Sequence, residues 1–232
     1  MIEKRAFTTL GRFQNNWLNA RHHFSFSSYR DPARDQWGTI RVWNDDEIEA
    51  GQGFTPHSHN DMEIITYVRE GAITHKDSLG NEGRTAAGDV QVMSAGSGIT
   101  HAEMNLESER TKLFQIWITP ETTGQPPSWG AAQFPKHGRS GAFVTLASGF
   151  EGDIDALPIR QKARVLGATL KAGETISYDL EAGRHAYLVT SKGVASVNDI
   201  ELYERDAAAI KDEGKLTIMA IVDAELVLVD AP

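Results

Sequence analysis

Apolar residues along this chain come in short runs, among them Glu63–Val68 (EIITYV), Val90–Met93 (VQVM), Lys112–Thr119 (KLFQIWIT) and Glu225–Asp230 (ELVLVD), with Gly, Asn or Asp in the turns between them. Many short strands broken by frequent turns predict an all-β sandwich or barrel. Helical periodicity is weak, and only Asn15–His23 and Ile154–Leu166 predict short helices. Ser78-Leu79-Gly80-Asn81 reads as a hairpin turn. Thr122–Ser128 (TTGQPPS) clusters Pro, Gly and Thr after a strong strand, as a linker does, so residues 121–140 are the expected boundary zone. Beyond it Thr169–Ala172, Ala186–Val189, Gly193–Val197, Ala207–Ile210 and Thr217–Val222 give a second set of strands. The expectation is two β domains, 1–125 and 140–232, similar in rhythm but without an alignable repeat.

Length agrees with that division, since 232 residues suffice for two small domains, each with its own core. No stretch approaches the roughly 20 consecutive apolar residues that cross a bilayer, so no membrane partner is expected. The first residues, MIEKRAF, lack the apolar segment of a secretory signal, and the expected location is the cytoplasm. The absence of cysteine removes disulfides, thiolate nucleophiles, iron–sulfur clusters and Cys-bound zinc, so any metal must use His and carboxylate. A net charge of −9 argues against direct nucleic-acid binding, which needs a basic face.

Candidate chemistry lies in two triplets. His57-Ser58-His59 places two imidazoles at i and i+2, which project from one face of a strand, and His101-Ala102-Glu103 repeats that spacing with an imidazole and a carboxylate. Among eight histidines either triplet alone is weak evidence, but each follows a glycine-rich turn, Gly51-Gln52-Gly53 or Ala95-Gly96-Ser97-Gly98, where backbone bends tightly. Two facing strands would then supply four ligands to one ion. His22 and His23, in HHFSFSSY, read as packed or hydrogen-bonded; His75 and His137 read as loop or surface residues. The 140–232 domain holds a single histidine, His185, too few for a second site of this kind, and is expected to be metal-free. Phe24, Phe26, Phe114 and Trp117 read mostly as core, with one or two lining a pocket mouth.

At this point the residues resemble a known pattern. Gly51–Gly71 is similar to the first cupin motif, G-x5-H-x-H-x3,4-E-x6-G, matching at Gly51, His57, His59 and Glu63, with Gly71 one residue late. Gly88–Asn105 resembles the second, G-x5-P-x-G-x2-H-x3-N, with Ser94 in place of proline and two extra residues before His101. The combination HxH, MEIITYVREG and GDVQVMSAGSGITHAE, with HFSF before it and FQIWI after it, resembles the pirins and bacterial pirin-like proteins over roughly residues 11–120. The resemblance implies two tandem cupin (jelly-roll) β-barrels with few short helices. It also implies one divalent transition-metal ion in the first barrel, on the residues matching His57, His59, His101 and Glu103, which leaves Glu63 a structural or supporting role.

Three imidazoles and a carboxylate suit Fe, Ni, Co, Mn, Cu or Zn, and the resemblance favours iron. It further implies quercetin 2,3-dioxygenase activity: a flavonol or related polyphenol is cleaved by dioxygen with release of carbon monoxide, and Glu103 stays a ligand or takes the hydroxyl proton as a general base. The alternative is a non-catalytic, redox-sensing metal protein that binds a protein partner. A metal-dependent isomerase or hydrolase is a third reading, since cupins host many reactions.

Overall fold

The computed structural model describes all 232 residues. Strands dominate: β1 (Ile2–Arg5), β2 (Gly11–Gln14), β3 (Leu18–His22), β4 (Ile40–Ile48), β5 (Gly53–His59), β6 (Glu63–Glu70), β7 (Ala72–Asp77), β8 (Glu82–Ala86), β9 (Val90–Ser94), β10 (Ile99–Met104), β11 (Thr111–Ile118) and β12 (Ser128–Ala132). There follow β13 (Val144–Ser148), β14 (Leu157–Pro158), β15 (Arg164–Leu170), β16 (Thr175–Asp179), β17 (His185–Lys192), β18 (Ala195–Val197), β19 (Ile200–Leu202), β20 (Ala207–Lys211), β21 (Lys215–Ala220) and β22 (Ala224–Ala231). The helices are single 3-10 turns at Phe7–Thr9, Pro32–Arg34 and Lys136–Arg139. Both expected α-helices are corrected. Asn15–His23 contains β3, and Ile154–Leu166 contains β14 and the start of β15. In β3 Leu18, Ala20 and His22 alternate inward, a period of two that the mixed composition disguised. The Ser78–Asn81 turn does join β7 to β8, which pair from Ala72↔Ala86 to Lys76↔Glu82.

Two compact units emerge. One comprises residues 11–134 and 157–161, the other residues 1–10, 135–156 and 162–232. In the first, a seven-stranded sheet in the order β12-β9-β6-β11-β4-β3-β2 is accompanied by a four-stranded sheet in the order β5-β10-β7-β8. Strand register explains what positions the site. His22 pairs with Asn44, Asn44 with Gln115, Gln115 with Thr66, and Thr66 with Gln91, so a polar row crosses five strands of the large sheet. One apolar cluster, with Leu18, Ile48, Val68 and Leu113, lies to one side of that row. Another, with Ile64, Met93 and Ile99, lies to the other. Buried polar side chains in such a core are as a rule hydrogen-bonded, and an unpaired one calls for an explanation.

The second unit is built alike but filled differently. Its large sheet runs β1-β20-β17-β22-β15-β13, and β16-β21-β18-β19 form the smaller one. Its interior holds an apolar cluster that includes Leu166, Leu188, Ile210, Ile218 and Leu228. Charge enters at Asp230, on β22, whose Oδ1 accepts from Arg184 Nε at 2.6 Å and whose Oδ2 accepts from the Tyr178 hydroxyl at 2.6 Å.

Candidate metal centre

The first unit's small sheet brings the two triplets together. β5 and β10 are antiparallel with His57 opposite His101 and His59 opposite Ile99, and a register shift then sets Phe54 opposite Glu103. Close approach here depends on Gly53, where an added Cβ would stand 2.2 Å from the Glu103 carbonyl oxygen. The ring centroids of His57, His59 and His101 are 4.5 to 5.1 Å apart. Their candidate ligand nitrogens all lie within 4.8 Å of one another.

Protonation and orientation suit a cation. Burial, followed by the neighbouring imidazoles, pushes His101 down to about 3, and burial with His57 pushes His59 down to about 4. Both rings are therefore neutral at pH 7 and present lone pairs. His57 Nδ1 is 2.8 Å from the Thr55 carbonyl oxygen, which only accepts, so Nδ1 carries the proton and Nε2 is free to bind. His101 Nε2 is buried without a hydrogen-bond partner. Neutral nitrogen donors that include an orphaned one fit a divalent transition metal.

Glu103 stands on the same strand, 2 % exposed. Its Oε1 accepts from Gln91 Nε2 at 2.7 Å and Thr66 Oγ1 at 3.1 Å, and its Oε2 from Gln115 Nε2 at 2.7 Å. All three donors belong to the polar row. Burial raises Glu103 to about 7, opposed by those three hydrogen bonds. Its oxygen groups with His101 and His75, whereas His57, His59 and His101 form a group of their own.

His75 corrects the expectation of a surface residue. It is fully buried on β7, opposite Glu103, because the alternation of β7 turns it inward between Ile73 and Asp77. Its Nε2 lies 2.9 Å from Asp77 Oδ2 and its Nδ1 3.5 Å from His101 Nδ1, a chain of carboxylate, imidazole and imidazole behind the His101 ring. Trp129 stacks on its ring at 4.8 Å, in room left by Gly83, where a Cβ would meet the indole at 2.3 Å. The sequence reading missed Thr66, Gln91 and Gln115 as well. Their signal was a polar residue in the middle of an apolar strand face: Thr66 between Ile64 and Val68, Gln115 between Leu113 and Trp117.

Glu63 sits on the opposite face of β6 from Thr66 and accepts from Ser94 Oγ at 2.6 Å and from the Arg160 backbone N–H at 3.1 Å, which anchors the 157–161 segment. His22 Nδ1 is 2.8 Å from Asn44 Oδ1, and His23 is fully buried. His137 is exposed. Phe24 and Phe114 are core; Trp117 meets His59 edge-on at 4.9 Å and Phe26 at 5.5 Å. Beside the site lies a cavity of about 240 Å³ bordered by Phe26, Phe54 and Gln115.

Comparison with known proteins shows the family. Residues 3–118 match the Pirin family, and residues 145–231 match the quercetinase C-terminal cupin domain. A pirin-like protein of Caulobacter vibrioides is 64% identical over 231 residues, covering 100% of both chains. A quercetin 2,3-dioxygenase of Escherichia coli is 38% identical over 233 residues, covering 100% of this chain and 99% of its own. The crystal structure of the E. coli bacterial pirin YhhW in complex with nickel(II) superposes with a TM-score of 0.94 at 38% identity, covering 100% of this chain and 99% of that one. With two cupin barrels and end-to-end likeness to pirin-like proteins, the chain belongs to the pirin family.

Proposed function

We propose that this chain is a metal-dependent dioxygenase of the quercetin 2,3-dioxygenase type, cleaving a flavonol or related polyphenol with dioxygen and releasing carbon monoxide. On this reading His57, His59, His101 and Glu103 hold one divalent transition-metal ion. Iron is the ion the family resemblance favours, and nickel, present in the E. coli pirin, is the first alternative. The observation that carries the reading is the convergence of three imidazoles beside an aromatic-lined cavity. The E. coli relative named quercetin 2,3-dioxygenase supports the substrate class.

A bound divalent ion supplies Lewis acidity toward the flavonol's 3-hydroxyl oxygen and redox capacity toward dioxygen. The protein supplies the rest. The Thr55 carbonyl orients His57, and the His75–Asp77 pair backs His101. Glu103 is the fourth donor and the acceptor of the 3-hydroxyl proton, and Gln91, Thr66 and Gln115 hold its carboxylate until substrate arrives. Trp117 and Phe26 exclude water on the His59 side.

The test is carbon monoxide release from quercetin under air by iron-reconstituted protein, alongside Glu103→Ala and a metal-free control. Release by the loaded wild type alone is expected. Release no greater than that from free iron overturns the iron-dependent reading.

A further inference from the structure

The cavity beside the imidazoles has a polar group that the metal centre does not use. Aromatic side chains, among them Trp17, Phe26 and Phe54, form much of its wall, and its polar lining residues are Asn15, His22, Ser27, Asn44, Asp46 and Gln115. Most of these are already engaged: Asn15 Oδ1 accepts from the Trp17 and Leu18 backbone N–H groups. Asn44 Oδ1 is bonded to His22, and Gln115 Nε2 donates to Glu103. Asp46 is not: it is 2 % exposed, and its Oδ1 has no hydrogen-bond partner. Register explains why. Asp46 lies one step off the polar row, between Ala20 on β3 and Leu113 on β11, neither of which offers a side-chain donor. A buried carboxyl oxygen among aromatic rings is costly when unpaired, so a ligand that brings a donor to it gains more than it would from a solvated group.

Size and charge narrow the ligand. A cavity of about 240 Å³ is smaller than the roughly 300–1,000 Å³ of whole drug-sized ligand sites, so it takes one ring and leaves the remainder of a flavonol outside. The cavity borders the metal centre through Gln115 and through Phe54, whose ring is 6.3 Å from His57. Acidic groups act on Asp46 from two elements, Asp45 on β4 and Glu103 on β10, while the nearby cation, Arg69, is hydrogen-bonded to Asp45. Anionic rings are thereby disfavoured and neutral hydroxylated ones accepted.

We propose that this cavity binds one neutral, hydroxylated aromatic ring of the substrate and that Asp46 is the specificity-determining residue, its Oδ1 accepting a hydrogen bond from a ring hydroxyl. The proposal rests on the polyphenol reading for its ligand class, but it is read out by binding rather than turnover.

The test uses full-length protein loaded with redox-inert zinc, with dissociation constants measured by quenching of tryptophan fluorescence. The probes are quercetin and 3-hydroxyflavone, which keeps the 3-hydroxyl and 4-keto groups but lacks the other hydroxyls. Wild type is expected to prefer quercetin by roughly tenfold, the worth of one hydrogen bond to a buried acid. Asp46→Leu should lose the preference by weakening quercetin and not 3-hydroxyflavone. Asp46→Asn, of the same shape, should reduce it several-fold and covers the case in which the leucine variant does not fold. An equal affinity of wild type for both probes, or a preference that survives in the variants, overturns the assignment. Discrimination without carbon monoxide release would sink the dioxygenase reading and leave Asp46 standing; release with unchanged discrimination in Asp46→Asn would do the reverse.

Discussion

Burial lowers the proton affinity of several imidazoles in this barrel, among them His22 and His75, and these two can be tested singly. His22 is lowered below 6.5 chiefly by burial, with Arg21 acting in the same direction and the Asn44 hydrogen bond against it. The unfolded chain takes up a proton near pH 6.5 that the folded chain refuses, so His22 makes stability fall as pH drops from 6.5 through its lower folded value. Urea midpoints at pH 7.5 and 5.5 should therefore fall more in wild type than in His22→Gln; equal drops would show that His22 titrates alike in both states. His75 gives a second prediction. Its removal as His75→Leu should weaken metal retention by about 10–100-fold, as loss of a group that orients a ligand does. Competition against a chelator of known affinity measures this, and an unchanged affinity with lowered thermal stability would mean that His75 only packs. At this scale the sequence was partly legible. The HxH and HxE spacings pointed to the imidazole cluster, but His75 was opaque because only the pairing of β7 with β10 shows that it faces inward.

Elements deliver those residues through register. The shift in β5 pairing lets Phe54 and His57 stand opposite Glu103 and His101, and Gly53 permits the approach. Gly53→Ala would drive a Cβ into the Glu103 backbone, and its expected effect is a loss of about 1–3 kcal/mol with weaker metal binding. Denaturant unfolding and metal titration measure the two, and a stable variant with native affinity would show that the strands yield without cost. Strands that form near-continuous buried runs, such as β6, β9, β11 and β22, could be read directly from the chain. β3 could not, since Asn19 and Arg21 between its inward residues imitate an amphipathic helix over so short a span. The polar row was hidden for a different reason: its members are far apart in sequence and become neighbours only across strands.

The whole molecule is two barrels of one architecture with different interiors. In the second, the buried carboxylate of Asp230 answers Arg184 and Tyr178 together. Asp230→Ala leaves a largely buried guanidinium without its carboxylate, held only by the carbonyls of residues 162 and 230, so a loss of about 3–5 kcal/mol is expected, measurable by urea unfolding. A loss below about 1 kcal/mol would place that pair with exposed ones. The all-β, two-barrel plan was legible from rhythm and motif. Rhythm could not show which strands share a sheet, and β1 illustrates this: residues 2–5 pair with 207–210, at the other end of the chain. Synthesis gives that pairing a direction. β1 is made long before β20, the strand it pairs with, so its edge stays open while the intervening residues are synthesised and the second barrel closes only after β20 has emerged.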